Sequence, residues 1–321
     1  MKVFFRSIGI ACMLLFMVPI SAGAAEYLIP VGTVIGLQLR DNTVTVAAFD
    51  EDCPAAREAG VQIGDELVKI EDQAIGCPED VRTVLRECEG EIALTVRRDG
   101  KTNTLHLHPE PSENGPRLGV YLRQGIAGIG TVTFYDPETG LFGTLGHGVN
   151  DGKGQLLAMR QGFAYEAQIA SVIKGKAGQP GQLKGSADGA NVFGTLLRNT
   201  SQGVFGTTTH GWDGPSVPVA AFEEVRTGDA TIRCTVTGDQ VQEYSVEILK
   251  IYPQARADGR NFLLKVTDPD LLALTGGIIQ GMSGSPLMQV GKLRGAVTHV
   301  LVNDPTTGYG IFIENMLDAA G

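Results

Sequence analysis

Along most of the chain the apolar positions fall in short alternating runs broken by glycine turns, and long helical stripes are scarce. Alternation at period two puts one face of a segment in a core and the other in water, as in a half-buried strand. Glu66–Ile70, Ile92–Arg97, Thr104–His108, Gly130–Tyr135, Ala167–Ile173, Ser245–Ile251 and Phe262–Val266 all read this way, and Val44–Val46 is a shorter strand. Asp99-Gly100 makes a tight hairpin turn between two of them. The 3.6-residue period survives in few places. Pro54–Gly60 opens on proline and closes on glycine. Pro78–Glu87 carries the stripe Val81, Val84, Leu85, continued by Cys88. Asp270–Leu274 and Ile313–Leu317 predict two brief helical turns.

The pattern divides the chain. Residues 26–110 alternate strands and helices, with Cys53-Pro54-Ala55-Ala56, Ala59-Gly60, Gly64-Asp65 and Ile70 in that order. This series resembles a bacterial-type PDZ domain. The resemblance implies a peptide groove between the strand at Ile35-Gly36-Leu37 and the helix from Pro78. A peptide would add there as an extra strand, its C-terminal carboxylate taken by amides near Ile35 and Gly36. Residues 111–117, rich in proline, glycine and charge, predict a linker. Residues 118–321 are almost wholly strands and turns, which predicts an all-β barrel or sandwich. The expected class is mainly β, an α+β PDZ domain followed by an all-β domain.

Composition narrows the partners. Lys plus Arg number 26 against 36 Asp plus Glu, a net charge of −10 that argues against a nucleic-acid backbone as partner. Residues 1–25 read as an export signal or N-terminal anchor: Lys2 and Arg6, then an uncharged apolar run from Ile8 to Ile20, then Ser21-Ala22-Gly23-Ala24-Ala25. That run is short for the ~20 residues that cross a bilayer. Cys53, Cys77, Cys88 and Cys234 show no Cys-x-x-Cys spacing, and His106 and His108 read as solvated strand residues, so no metal or organic cofactor is implied.

Candidate chemistry lies in Gly281-Met282-Ser283-Gly284-Ser285-Pro286. The leading glycine allows the amides of Gly281 and Ser283 to converge beside the Ser283 hydroxyl, an oxyanion hole next to a nucleophile. A serine hydroxyl needs a base within reach and a group that orients the base. His147, between Gly146 and Gly148, is the accessible candidate beside His210 and His299. For the orienting acid the residues leave Asp188, Asp213, Asp229, Asp268 and Asp270 open.

Three motifs then occur in series: Asp136 to Gly148 around His147, Gln280 to Pro286 around Ser283, and Gly295 to Gly310. Together with the PDZ position they resemble the stage IV sporulation protein B (SpoIVB) family of exported PDZ-containing serine peptidases. The resemblance covers the whole chain and implies a trypsin-like double β-barrel with Ser283 as nucleophile, His147 as base and Asp268 as the triad acid. The run from Ser283 to His299 also keeps step with trypsin-like enzymes. It implies that Thr298 supports the acid by its hydroxyl and that His299 lines the substrate pocket. The resemblance further implies sporulation signalling between forespore and mother cell, through cleavage of the extracytoplasmic part of a membrane regulator and activation of a late sigma factor. Self-cleavage within 25–40 is expected, as is a PDZ domain that binds peptide C-termini or internal segments. A non-catalytic PDZ scaffold and an HtrA-like quality-control protease are the alternatives. The second conflicts with a PDZ domain that precedes the protease.

Overall fold

The computed structural model describes residues 27–254 and 258–321, without the side chains of 187–190. The expected signal segment and Cys12 lie outside the described residues. In chain order, β1 (Tyr27–Pro30) and a long β2 (Val34–Phe49) come first. They are followed by α1 (Ala55–Glu58), β3 (Glu66–Ile70), β4 (Gln73–Ala74), α2 (Pro78–Glu87), β5 (Ile92–Arg98) and β6 (Lys101–Leu107). A second long strand, β7 (Val120–Tyr135), leads to β8 (Leu141–Thr144), β9 (Gln161–Ile173), β10 (Gln182–Thr200), β11 (Gly203–Thr208) and β12 (Val217–Pro218). The chain ends with β13 (Gly228–Thr235), β14 (Val241–Ile251), β15 (Phe262–Val266), α3 (Pro269–Thr275), β16 (Pro286–Gln289), β17 (Lys292–Leu301), β18 (Asp304–Phe312) and α4 (Ile313–Ala320).

The pairings close two six-stranded barrels. In the first, β2, β7, β8, β11, β10 and β9 pair in a ring that returns to β2. The second runs β13-β14-β15-β18-β17-β16. Each is filled by the inward residues of its strands: Ile35, Leu37, Leu39, Val132, Phe142 and Val204 in the first, and Ile232, Phe262, Leu264, Leu287, Val297 and Phe312 in the second. A separate buried cluster joins Leu28, Phe134 and Phe205 of the first half to Leu293, Ile311 and Met316 of the second, so apolar burial holds the barrels against each other.

The long strands β2 and β7 serve two units. Val34–Leu39 pairs with Ile126–Thr131 inside the first barrel, while Val44–Phe49 pairs with Val120–Gln124 in the PDZ unit. Between them the ladder breaks, and the Gln124 side-chain Nε2 spans the break by donating to the Asp41 carbonyl at 2.8 Å and the Gly76 carbonyl at 2.7 Å. Gly125 adopts φ +69° here, and a Cβ would run into the Leu39 carbonyl, so the bend requires glycine. The PDZ core of Val44, Leu67, Ile70, Val84, Leu94 and Val96 thus sits in the hairpin of the first barrel.

That arrangement corrects the expected boundaries at 26–110, 111–117 and 118–321. Residues 27–39 belong to the peptidase barrel, because Leu37 and Leu39 alternate into its core. Residues 111–117 form a tight loop on the PDZ unit, held by paired backbone bonds between Glu110 and Arg117 and by the Arg117–Asp50 ion pair at 2.9 Å.

Candidate functional site

The loop that carries Ser283, residues 280–285, precedes β16 in the second barrel, and His147 follows β8 in the first. One strand residue ties the two loops together. Thr131 of β7 gives its amide to the Ser283 carbonyl at 3.0 Å and its hydroxyl to the Gly281 carbonyl at 2.8 Å. Its own carbonyl accepts the Thr144 hydroxyl at 2.6 Å and the Leu145 amide. Thr133, two residues on and on the same face, donates its hydroxyl to the Gly284 carbonyl at 2.7 Å. Gly284 has φ +97°, and a Cβ there would meet the Thr131 carbonyl, so the loop can approach β7 only with glycine at this position.

His147 and Ser283 line one cavity between the barrels. His147 Nδ1 lies 2.9 Å from the Gly148 carbonyl. A carbonyl only accepts, so Nδ1 carries the proton and Nε2 is left as the basic nitrogen. Burial holds its pKa below the ordinary histidine value, which keeps the ring neutral and able to take a proton. The Ser283 hydroxyl donates to the Thr298 carbonyl at 2.8 Å, so attack on a substrate requires it to turn from Thr298 toward His147.

The amides of Gly281 and Ser283, the expected oxyanion donors, stand beside that hydroxyl in the same loop. Among the described residues neither the Gly281 nor the Ser283 amide donates a hydrogen bond. Each is oriented by the carbonyl of its own peptide unit, because a trans peptide points N–H and C=O in opposite directions. The Gln280 carbonyl accepts the Leu183 amide at 2.8 Å, and the Met282 carbonyl accepts the Ser285 amide at 3.0 Å and the Ser285 hydroxyl at 2.7 Å.

Asp268 is placed elsewhere. It caps α3, with Oδ1 accepting the amides of Asp270 and Leu271 at 3.0 and 3.1 Å, and Oδ2 accepting the Ser245 amide at 3.2 Å. Among the described residues no bond joins Asp268, Asp213, Asp229 or Asp270 to His147, and the side chain of Asp188 lies outside them. The expected acid is therefore spent on a helix start, where an aspartate before Pro269 fits the N-cap pattern. Thr298 does not hold a carboxylate either; its hydroxyl donates to the Tyr309 carbonyl at 3.2 Å. His299 does reach the site. Its ring centroid stands 5.2 Å from that of His147, its Nδ1 is buried without a hydrogen-bond partner among the described residues, and burial lowers its pKa to about 4.

The expected groove residues are also displaced. Ile35, Gly36 and Leu37 are paired on one edge with Gly130, Ile129 and Gly128 and on the other with Glu166, Tyr165 and Ala164, so no peptide can add there. A cavity of about 390 Å³ does flank the helix from Pro78, but its other wall is the lead-in and start of β7, from Leu118 to Leu122. Val120–Leu122 pairs with β2 on one edge only, and the amides of Leu118 and Gly119 donate to nothing among the described residues. The sequence signal was Leu118-Gly119-Val120 directly after the supposed linker, a glycine turn into an alternating strand.

Thr131, Thr133 and Leu183 had no role in the sequence reading. Thr131 and Thr133 left a trace: two threonines on one face of a strand whose other face is apolar. Leu183 left none. Among the described residues, no three His, Cys, Asp or Glu side chains gather as a metal site.

Comparison with known proteins gives the family. Residues 45–98 match the PDZ domain. One curated relative, a putative zinc metalloprotease of Rhizobium meliloti (strain 1021), is 32% identical over 125 residues, 38% of this chain. The match spans only 31% of that relative's length. The active form of the Rv3671c protease of M. tuberculosis is similar at 16% identity and TM-score 0.39, over 61% of this chain and 75% of that one. The inactive form aligns at TM-score 0.35 over 61% and 85%. Residues 114–317 match SpoIVB peptidase S55. The chain belongs to the SpoIVB peptidase S55 family.

Proposed function

We propose that the chain is an exported serine endopeptidase in which Ser283 is the nucleophile and His147 the general base. The observation that carries this reading is the shared cavity of His147 and Ser283 beside two unoccupied, carbonyl-anchored amides. Ser283 Oγ bonds to the scissile carbonyl carbon as His147 Nε2 takes its proton, and the amides of Gly281 and Ser283 receive the developing oxyanion. The carbon–nitrogen bond then breaks, with the proton passing from His147 to the leaving amine. Water, activated by the same histidine, releases the acyl group. Gly148 does for the imidazole what an acid does in a triad: it fixes the tautomer.

The family resemblance supports a role in sporulation signalling: cleavage of the extracytoplasmic part of a membrane regulator between forespore and mother cell, leading to activation of a late sigma factor. The PDZ unit recruits peptide termini or internal segments at the edge of β7. Self-cleavage belongs at or before Tyr27, because β1 and β2 bury Leu28, Ile35 and Leu39 and a cut among them would open the barrel.

A fluorophosphonate probe tests the chemistry. Labelling of the purified chain that disappears in Ser283→Ala and His147→Ala is expected. Labelling that persists in both variants would overturn the assignment. An unlabelled, inactive parent would leave a PDZ-barrel scaffold that binds without cutting.

A further inference from the structure

The cavity that His147 and Ser283 share is an apolar pocket of about 240 Å³. Its walls are mostly first-barrel residues: Leu37 and Leu39 of β2, Ile126 and Ile129 of β7, and Leu145 and Val149 beside His147. The second barrel supplies only Gln280, Gly281 and Ser283 at the rim. Among the described residues no charged side chain lines it. A charged residue entering would lose water and find no partner, whereas an aliphatic one would trade water for Leu and Ile contacts.

The pocket's side of the cleft decides which substrate residue it meets. An acyl carbon on Ser283, with its oxygen at the Gly281 and Ser283 amides, points its leaving nitrogen toward the imidazole that must protonate it. His147 and the aliphatic wall are on the same, first-barrel side. Resting on the serine-peptidase reading above, we infer that this cavity recognises the residue immediately after the scissile bond and takes a large aliphatic side chain there. The Leu, Ile or Met that fills it is held against β2 and β7, the strands that continue into the PDZ unit.

One wall position makes the idea testable without disturbing the core. Gly128 lies on β7 at the exposed mouth of the pocket, and a Cβ there would meet nothing within 4 Å. Its φ is not in the left-handed region, so a side chain adds bulk to the pocket without backbone strain.

The experiment compares peptides that differ only at the residue after the scissile bond, with Leu, Gly, Asp and Phe, cut by the full chain. Labelling by a small alkyl fluorophosphonate, which carries nothing beyond the scissile position, reports Ser283 reactivity in parallel. Leu is expected to exceed Gly by about tenfold or more in kcat/KM, with Asp the poorest, the scale at which an apolar pocket discriminates. Gly128→Leu should fill the pocket and bring Gly level with or above Leu. Ile126→Ala, which widens the same wall, should move the preference toward Phe and serves if Gly128→Leu does not fold. Equal cleavage of the Leu, Gly and Asp peptides by a chain that still labels would overturn the pocket assignment, as would a Leu preference unmoved by both variants. Failure of the parent to label would overturn the serine-peptidase reading itself, and the inference with it.

Discussion

The amide of Leu183 donates to the carbonyl of Gln280 at 2.8 Å, and through that one bond a strand of the first barrel sets the direction of the Gly281 amide in the second. Leu183→Pro removes the donor together with a buried core side chain, and Leu183→Ala, which removes only the side chain, is its control. Backbone donors and acceptors alternate edges along a strand, so the β9 side of β10 keeps its ladder. The freed peptide can then rotate its N–H out of the oxyanion site. Loss of one such donor costs about 10²–10³ in kcat. Peptide cleavage should fall by that amount while circular dichroism stays near that of the parent; unchanged kcat would show that the bond does not hold the site.

Asp268 offers a test that separates capping from catalysis. Asn is as good an N-cap as Asp, so Asp268→Asn should keep the helix start and label with fluorophosphonate at a rate within about threefold of the parent. Asp268→Ala should lose about 1 kcal/mol of stability, seen as a lower Tm. A catalytic acid would behave differently, dropping kcat by about 10⁴ in the Asn variant.

On the proposed mechanism, His147 and His299 fix a pH dependence. Burial lowers the pKa of His147 below its ordinary value of 6.5, so the base stays unprotonated and the acid limb of kcat/KM should fall below pH 6.5. For His299, with a folded pKa of about 4, the unfolded chain binds a proton between about pH 6.5 and 4 that the folded chain does not. Its contribution is therefore complete above pH 6.5 and is lost as pH falls toward 4. Tm should decline across that window, and the decline should be shallower in His299→Gln.

Ile35 and Arg82 distinguish the two groove positions. Ile35 is 1% exposed, and Ile35→Ala should cost about 2–5 kcal/mol of stability without altering the intrinsic affinity of the folded chain for a PDZ peptide. Arg82 stands exposed on α2 at the cavity against β7. Arg82→Glu should weaken binding of a peptide carboxylate, read by fluorescence anisotropy, with Tm nearly unchanged. The reverse pattern would return the groove to β2.

Much of this architecture was legible because period-two alternation survives in strands with one wet face. Glu66–Ile70 and Phe262–Val266 have the expected bounds, and the Pro78 helix starts and stops where proline and the apolar stripe place it. Glycine spacing, which reports backbone shape locally, singled out Ser283, Gly281 and His147, and these three line one cavity. Asp268 was not legible, since a carboxylate that caps a helix and one that orients a histidine look alike in sequence. The insertion of the PDZ unit was hidden for another reason: Val34–Phe49 is one uninterrupted strand, and nothing local says that its halves belong to different cores. Leu183 reaches the site through its amide, which any residue except proline would supply, while its side chain is one more buried apolar residue of the core.

The insertion has a consequence for the newborn chain. Leu39 leaves the ribosome well before Ile126, the residue it must pair with, and the whole PDZ unit is made in between. Folding of that unit brings Val44 and Gln124 together, which turns a long and entropically costly loop closure into a short one. The PDZ unit thus acts as a built-in clamp for assembly of the barrel around it. A chain in which residues 41–124 are exchanged for a two-residue turn should still close its barrel, whereas one whose PDZ core is broken at Leu67 or Val96 should fail to mature at all.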